Sequence, residues 1–239
     1  MEAWREDQLN ALLAPDGQDD LFGRIAGMVR ALGFEHCAYG VRAPLPLAQP
    51  EIVMLNDYPE IWQKRYQDNN YLQVDPTVRQ GAASLDAFAW SNGDDPLDPA
   101  AAFWEDARLH DITCGVSLPA LAANSVRGML TLTRGGTRLD PLELRARWPQ
   151  LLWLGQVAHH GLAREMLARW RATSREALSG REVEILRWVA EGHTNRQIAA
   201  RFNITERTVN FHLNNAMTKL DVGNRTAAAV RAVVLGIIA

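Results

Sequence analysis

The C-terminal quarter of the chain carries explicit signals for where helices start and stop, and these constrain the fold more than any other feature. Ser179 and Thr194 are each followed three residues later by Glu or Gln, the pattern of a capping box. Asn224 suits an isolated N-cap, while Gly192 and Asn203 suit the left-handed conformation that closes a helix. Together these signals predict four short helices, over 180–191, 195–202, 206–220 and 225–237.

The third predicted helix combines an apolar stripe with an unusual polar face. Apolar residues recur at spacings of four, three and four, which places them on one side of a helix: Val209, Leu213, Ala216 and Leu220. The opposite side carries mostly amides and hydroxyls where an ordinary surface helix has more Glu and Lys: Arg207, Asn210, Phe211, Asn214, Asn215, Thr218 and Lys219. Two short helices joined by the turn 203–205, with the second longer and polar outside, form a helix-turn-helix arrangement.

Charge is divided unevenly along the chain. Residues 179–239 carry eight Arg and Lys against five Asp and Glu, a net charge of +3, so the total of −3 leaves −6 for residues 1–178. A basic C-terminal part on an acidic body suits nucleic-acid binding, although +3 attracts phosphates only weakly from a single copy. Double-stranded DNA is therefore the expected partner of this part.

Composition argues against several classes of protein. No window approaches the roughly 18 consecutive apolar residues of a membrane helix, and the start MEAWREDQLN lacks the features of a signal peptide. We therefore expect a cytoplasmic protein with no membrane partner. Cys37 and Cys114 are isolated, which predicts core thiols. His159 and His160 have no third candidate ligand nearby, so we expect a partly solvated surface and no metal, and we expect His212 to be structural.

Residues 1–140 mix helical patterns with short strand-like runs. The helical patterns cover 18–31, 58–69 and 99–110. The strand-like runs cover 37–42, 51–55, 115–121 and 127–133. Strands grouped as adjacent pairs between helices predict an antiparallel sheet flanked by helices, an α+β domain with an α/β/α sandwich, ahead of the all-α four-helix domain.

A long amphipathic stretch from Pro141 to Arg171 predicts one helix, over 142–170, that is interrupted or begun near Pro149. It ends in the polar segment RATSREAL, which has no apolar period and which we interpret as a linker. The expected organisation is therefore a first domain at 1–170, a linker at 171–178 and a second domain at 179–239.

The C-terminal sequence LSGREVEILRWVAEGHTNRQIAARFNITERTVNFHLNNAMTKLDVGNRTAAAVRAVVLGII resembles the DNA-binding domain of LuxR-type transcription factors. The resemblance rests on the elements R-E-x-E-[IV]-L, E-G-x-T-N, I-A, T-V-x-x-H and K-L-x-V-x-N-R-T. Phosphorylated response regulators share this tail, but their receiver domain needs an acidic cluster at a strand end and a downstream lysine. Lys64 is the only lysine before Lys219, and the pair Asp19 and Asp20 follows no apolar strand. The receiver interpretation therefore fails.

The body, over about residues 18–165, resembles the autoinducer-binding domain of the acyl-homoserine lactone receptors in the same family. The resemblance rests on YPEIWQKRYQDNNYLQVDPTV with Trp90 after it, on FWEDARLHDITCGVSLP and on GMLTLTR. By position it implies these pocket residues: Tyr58, Trp62, Asp75, Thr77, Trp90, Gly115 and Thr131. It also implies an apolar wall for the acyl chain, formed by Val78, Phe103, Ala107 and Ile112.

The ligand that this resemblance implies has a lactone carbonyl, an amide N–H, an amide carbonyl and a long apolar chain. Each polar group needs a partner when buried, because unpaired burial is costly. The Trp62 indole suits the lactone carbonyl, and Asp75 suits the amide N–H. Tyr58 and Thr131 suit the amide carbonyl, with Trp90 packed on the ring. Taken alone, the spacing of Tyr58 and Trp62 is also typical of core packing, and Asp before Pro is typical of a turn or cap.

For DNA, the resemblance places Asn210 and Asn214 on the groove-facing side, where Asn suits bidentate pairing with adenine. The remaining candidates for DNA contact are Thr194, Arg196, Arg207, Thr208, Lys219 and Arg225. One such helix reads only a few base pairs, so we expect a homodimer at a near-palindromic site. The expected dimer contacts are the last helix and helix 142–170, and RNA polymerase is a further candidate partner.

Two alternatives stay open at this point. The first is a solo regulator of the same fold that needs no ligand or senses a non-lactone small molecule. The second is a lactone hydrolase using Asp75 and a histidine, which is disfavoured because no histidine or nucleophile lies in the pocket motif. We therefore expect no enzymatic activity and no cofactor, only the acyl-homoserine lactone as ligand.

Overall fold

The computed structural model describes residues 17–42, 52–92, 98–122, 126–136, 138–172 and 177–238, with the backbone alone for 167–172. The chain forms two compact units that divide between Glu165 and Met166. Residues 173–176 of the expected linker lie outside the described residues, so the predicted domain limits stay predictions.

Five strands form one sheet in the described part of the first unit: β1 (His36–Arg42), β2 (Ile52–Asn56), β3 (Phe88–Ser91), β4 (Cys114–Leu121) and β5 (Arg127–Arg134). Their order is β2-β1-β5-β4-β3, and every neighbouring pair is antiparallel. The predicted antiparallel sheet is therefore confirmed. The sequence did not predict β3, because four residues are too few for a clear alternation of apolar and polar side chains.

Five helices belong to or begin in the same unit: α1 (Gln18–Ala31), α2 (Glu60–Asp68), α3 (Pro76–Ala83), α4 (Ala101–Leu109) and α5 (Pro141–Ala172). The predicted interruption or start near Pro149 is wrong, because α5 runs through it. An internal proline costs a helix about 3 kcal/mol or more. Leu151, Leu154 and Leu162 have no exposed surface, and their burial offsets that cost.

The two faces of the sheet have different neighbours. On one face α5 approaches so closely that a Cβ at Gly155 would lie 2.8 Å from Cβ of Leu118 in β4. Tyr39 of β1 points to the same side, because its hydroxyl meets a side chain of α5. Side chains alternate along a strand, so Ala38 and Gly40 point to the opposite face, where they line a cavity.

His159 of α5 is buried, with 2% of its surface exposed, so the predicted solvated histidine pair is wrong for this residue. Its Nε2 lies 3.1 Å from the Val126 carbonyl oxygen, which can only accept, so Nε2 carries the proton. Nδ1 of the neutral ring then accepts from the Tyr39 hydroxyl at 2.9 Å. Burial lowers the pKa of His159, with a smaller lowering by the neighbouring His160.

This buried ring predicts a specific loss of stability in acid. Because the pKa of His159 is lowered on folding from its ordinary 6.5, the unfolded chain takes up the proton first, and the free energy of unfolding falls as the pH drops below that value. In His159→Gln the contribution of this ring to the fall in the free energy of unfolding at low pH disappears. At neutral pH the variant loses about 1 kcal/mol of that free energy, because the hydrogen bond from Tyr39 is lost.

Urea unfolding at about pH 8 and about pH 5.5 measures the effect. The matched control is His160→Gln, which changes the exposed neighbour on the same helix. Equal acid sensitivity in wild type and His159→Gln would contradict a neutral ring at this position.

After α5, four helices form the described C-terminal fold: α6 (Gly180–Ala190), α7 (Asn195–Phe202), α8 (Glu206–Leu220) and α9 (Arg225–Val234). The capping boxes at Ser179 and Thr194 are both present, as predicted. The predicted left-handed residues Gly192 and Asn203 have φ of 88° and 52°. The last helix ends earlier than predicted because Gly236, with φ of 63°, turns the chain out of the helix. The core contains Ile185, Leu186, Ile198, Val209, Leu213 and Leu220.

Candidate functional site

A cavity of about 210 Å³ lies on the sheet face opposite α5. Its wall combines residues of β1, β2 and β5 with residues of α2, α3 and α4. Most of the predicted binding residues line it: Tyr58, Trp62, Asp75, Thr77, Val78, Trp90, Phe103, Ile112 and Thr131. The fold therefore brings together side chains that are up to 73 positions apart, from Tyr58 to Thr131.

Two residues predicted for the pocket do not line the cavity. Ala107 has no exposed surface and packs within the aromatic cluster around Trp62. Gly115 lies in β4 behind Trp90, where a Cβ would come within 2.5 Å of the indole ring and closer still to the Leu132 carbonyl oxygen. A glycine is required at this position because the indole occupies the space of a side chain, and not because residue 115 contacts a ligand.

Asp75 supplies a carboxylate to the cavity. It caps α3, where its Oδ1 accepts from the Thr77 N–H at 2.8 Å and from the Thr77 hydroxyl at 2.7 Å. Its Oδ2 accepts from the Tyr66 hydroxyl at 2.9 Å. Burial raises the pKa of Asp75, and the hydrogen bonds from Thr77 and Tyr66 oppose that rise. A carboxylate can accept about four hydrogen bonds, so one more donor fits at Oδ2.

Trp62 and Tyr58 supply donors to the same cavity. Trp62 is 3% exposed and packs against the rings of Tyr66, Tyr71 and Phe103. Its indole N–H makes no hydrogen bond to any described residue, and an indole nitrogen can only donate, so it is available to a ligand carbonyl. The phenol of Tyr58 is protonated at neutral pH and can donate, and burial raises its pKa further.

A short chain of hydrogen-bonded side chains connects Trp90 to the hydroxyl of Thr131. The Trp90 indole N–H donates to Ser117 Oγ at 3.1 Å, and the hydroxyl oxygens of Ser117 and Thr131 lie 3.1 Å apart. The indole can only donate, so Ser117 Oγ accepts from it, and either hydroxyl can donate in the bond between Ser117 and Thr131. When Ser117 donates, the proton of Thr131 is left for another acceptor. The sequence analysis missed Ser117, although it is the one hydroxyl in the apolar strand CGVSLPAL and pairs with Thr131 in the register.

Beyond Thr131 the cavity wall becomes apolar. Gly40 pairs in register with both Met54 of β2 and Met129 of β5, and all three line the cavity. Gly81 of α3 lies so close to the Met129 sulfur that no Cβ fits between them. The sequence did not single out these residues, because apolar strand residues resemble ordinary core. Together they offer a surface suited to an apolar chain.

The outer side of α8 presents a second candidate site. Arg207, Asn210 and Asn214 are exposed on it, and Phe211 is 60% exposed beside them. Arg196 of α7 is exposed as well. These residues form a polar strip on a helix whose opposite stripe is fully packed.

The other residues predicted for DNA contact form bonds inside the C-terminal fold: Thr194, Thr208, Lys219 and Arg225. The two threonine residues take part in hydrogen bonds at helix starts. The Lys219 ammonium lies 2.9 Å from the buried Glu182 carboxylate, and Arg225 donates to Asn195. Their contacts thus hold helices together, in addition to any contact with phosphate.

Within the described ranges, no helix is both long and apolar enough to cross a membrane. The same residues contain no group of three His, Cys, Asp or Glu side chains placed to hold a metal ion. Cys37 and Cys114 are buried free thiols, as predicted, and burial raises the pKa of Cys37.

Comparison with known families identifies both parts of the chain. Residues 17–162 match the family described as autoinducer binding domain, and residues 176–232 match bacterial regulatory proteins, luxR family. The transcriptional activator protein AnoR of Acinetobacter nosocomialis is 41% identical over 238 residues, which cover 100% of each chain.

Solved structures of two further relatives resemble the whole chain or its first part. A crystal structure of Escherichia coli SdiA gives a TM-score of 0.85 at 30% identity, covering 99% of this chain and 98% of that one. SdiA in complex with octanoyl-rac-glycerol gives a TM-score of 0.76 at 31% identity, and the match covers 98% of this chain and 95% of that one. CepR2 of Burkholderia cenocepacia is described as N-acylhomoserine lactone dependent. Its structure gives a TM-score of 0.61 at 32% identity, and the match covers 67% of this chain and 93% of that one.

The family matches and the full-length relative agree with the fold in both units. An antiparallel sheet with a lined cavity is followed by four helices that contain the helix-turn-helix. The chain therefore belongs to the LuxR family of quorum-sensing transcriptional regulators, with an autoinducer-binding domain followed by a helix-turn-helix DNA-binding domain.

Proposed function

We propose that this regulator binds an N-acyl-homoserine lactone in its cavity and, as a homodimer, binds a near-palindromic promoter site through α8. One observation carries the ligand proposal, namely three complementary polar groups on an otherwise largely apolar wall. They are the N–H of Trp62, which has no hydrogen-bond partner among the described residues, the remaining acceptor position on Asp75 and the hydroxyl of Thr131.

These groups correspond to the polar atoms of an acyl-homoserine lactone. In the proposed complex Trp62 donates to the lactone carbonyl, and Asp75 accepts from the amide N–H. Thr131 and Tyr58 donate to the amide carbonyl, and Trp90 covers the lactone ring. The acyl chain then follows the apolar wall toward the two methionine residues of β2 and β5.

A second candidate ligand is a non-lactone acyl compound. The structure of SdiA in complex with octanoyl-rac-glycerol supports this alternative. An acylglycerol offers a carbonyl and an apolar chain but no amide N–H. Asp75 would then accept from a glycerol hydroxyl. With such a ligand, or with none, the protein would be a solo regulator.

The dimer is proposed from charge and from exposed apolar surface. A net charge of +3 on residues 179–239 is too small for tight DNA binding by one copy, and a twofold pair doubles it. Val230 and Val233 of α9 are 38% and 48% exposed, so this helix suits contact with a second copy. We propose that α5 forms the second dimer contact. We also propose that the protein acts in the cytoplasm and that RNA polymerase is one of its partners.

The ligand is proposed to act by stabilising the fold that dimerises. A ligand that binds only the folded state, present at about a hundredfold over its Kd, adds about 2.7 kcal/mol to the free energy of unfolding. The melting temperature should then rise by roughly 5–10 °C.

The test is mass spectrometry of an organic extract from full-length protein expressed with N-hexanoyl-, N-octanoyl- and N-dodecanoyl-homoserine lactone. We expect one chain length to be retained and the same lactone to raise the melting temperature. The matched variant Trp62→Phe keeps an aromatic ring without the N–H and should retain much less. Soluble protein with no retained lactone and an unchanged melting temperature would refute the lactone proposal.

A further inference from the structure

Three hydrogen-bonded side chains link the starts of two helices to the exposed face of α8. Arg225, the first residue of α9, donates to Asn195 Oδ1 at 3.0 Å and to the His193 carbonyl oxygen. Asn195, the first residue of α7, donates through Nδ2 to Oδ1 of Asn210 on α8. The series therefore runs from Arg225 through Asn195 to Asn210.

The direction of each bond follows from the residue at its start. A guanidinium has only donors, so the atom of Asn195 that it meets must be the amide oxygen. The NH₂ of Asn195 is thereby turned to Asn210, which must meet it with its own oxygen. The exposed amide of Asn210 is left with its NH₂ facing outward as the free group.

A second asparagine on the same face lacks this constraint. Asn214 lies one turn further along α8, and its side-chain amide makes no hydrogen bond to any described residue. It can offer oxygen and NH₂ together, the arrangement that pairs with adenine N6 and N7. Asn210 has an equally exposed position but a fixed polarity, so the two residues should not read DNA alike.

We propose that Asn195 and Arg225 are positioning residues that make Asn210 a donor-only reader, selecting bases that present an acceptor in the major groove, guanine above all, over cytosine, which presents only an amino group. This inference rests on the proposed function, in which α8 enters the major groove. Guanine O6 and N7, thymine O4 and adenine N7 accept from an NH₂, whereas the only polar group that cytosine presents there is an amino group that needs an acceptor.

The substitution Asn195→Asp inverts the polarity without removing the Arg225 contact. A carboxylate still accepts from Arg225, and an acidic residue in the first turn of a helix is favourable. It cannot donate, so Asn210 must turn its NH₂ inward and its oxygen outward. Guanine and thymine, whose polar groups there only accept, should lose preference, and cytosine should gain it. Asn195→Ala instead releases the amide, and adenine should become the preferred base, as for Asn214.

The experiment is selection of bound duplexes from a library randomised over about 20 base pairs, long enough for two half-sites one helical turn apart. It uses full-length protein loaded with the lactones named above. Asn210→Ala identifies the position that residue 210 reads, because preference there is lost. In Asn195→Asp we expect the ratio of cytosine to guanine at that position to rise by roughly tenfold. Any uniform loss of affinity from the added negative charge does not change this ratio.

The outcomes separate this inference from the proposed function. The position read by Asn214 should keep its preference in every Asn195 variant, which controls for a general structural effect. A wild type that prefers cytosine at the Asn210 position, or a ratio of cytosine to guanine that is unchanged in Asn195→Asp, would overturn the inference while leaving the DNA-binding proposal intact. Failure of wild type to enrich any near-palindromic site would overturn both.

Discussion

Replacing Asp75 by Asn is expected to weaken lactone binding by roughly 10- to 150-fold, the equivalent of a charge-assisted hydrogen bond of about 1.5–3 kcal/mol. The amide oxygen of the variant must keep the cap on α3, because the Thr77 N–H and hydroxyl both donate to that position. The NH₂ group then replaces Oδ2. A donor therefore faces the ligand N–H, and the acceptor is lost.

The same geometry explains why this variant should still fold. Asn is as good an N-cap as Asp, so the start of α3 is preserved. The Tyr66 hydroxyl, which donates to Oδ2 in the wild type, can turn and accept from the new NH₂. The expected defect is thus in ligand binding, with little change in the unfolding of ligand-free protein.

Titration of purified protein with the lactone that the wild type retains gives both dissociation constants. The matched control is Asp86→Asn, which neutralises an exposed carboxylate just after α3. Wild-type affinity in Asp75→Asn would exclude the proposed acceptor role and would favour an acyl ligand without an N–H.

Local signals predicted the parts of the fold that depend on neighbouring residues. The boxes at Ser179 and Thr194 form between residues three apart, so they can be recognised in any chain. The apolar stripe on α8 likewise depends only on residues three or four positions apart. The buried state of His159 depends on Tyr39, 120 positions away, and no local pattern in the long amphipathic stretch indicates it.

The candidate cavity was predictable to the extent that a shared motif orders its residues. That order indicated Asp75 and Trp62, but it did not distinguish a residue that faces the cavity from one that makes room for it. Gly115 illustrates the difference, because only the structure shows which atoms a side chain there would meet. Ser117 illustrates the converse, since its importance comes from the register of two strands.

The second large effect is expected at this glycine. In Gly115→Ala the new Cβ would meet the backbone oxygen of Leu132 and the ring of Trp90 at distances that real Cβ atoms do not adopt. A shift of the β5 backbone would disturb the β4–β5 pairing, and a shift of the indole would disturb the cavity wall to which it belongs. We expect a loss of about 2–3 kcal/mol or more in the free energy of unfolding, and a melting temperature lower by roughly 5–10 °C.

Gly27→Ala is the matched control, because it adds the same methyl group in the same unit. Gly27 is exposed within α1, and a Cβ there meets no atom within 4 Å. Alanine should therefore raise the free energy of unfolding by about 0.5–1 kcal/mol through helix propensity. Opposite changes in the melting temperatures of the two variants would show that no side chain fits at residue 115 between the Leu132 carbonyl oxygen and the Trp90 indole. An unchanged melting temperature in Gly115→Ala would mean that the Leu132 carbonyl oxygen and the Trp90 indole both leave room for a side chain at residue 115, and the cavity wall proposed to cover the lactone ring would have to be redrawn.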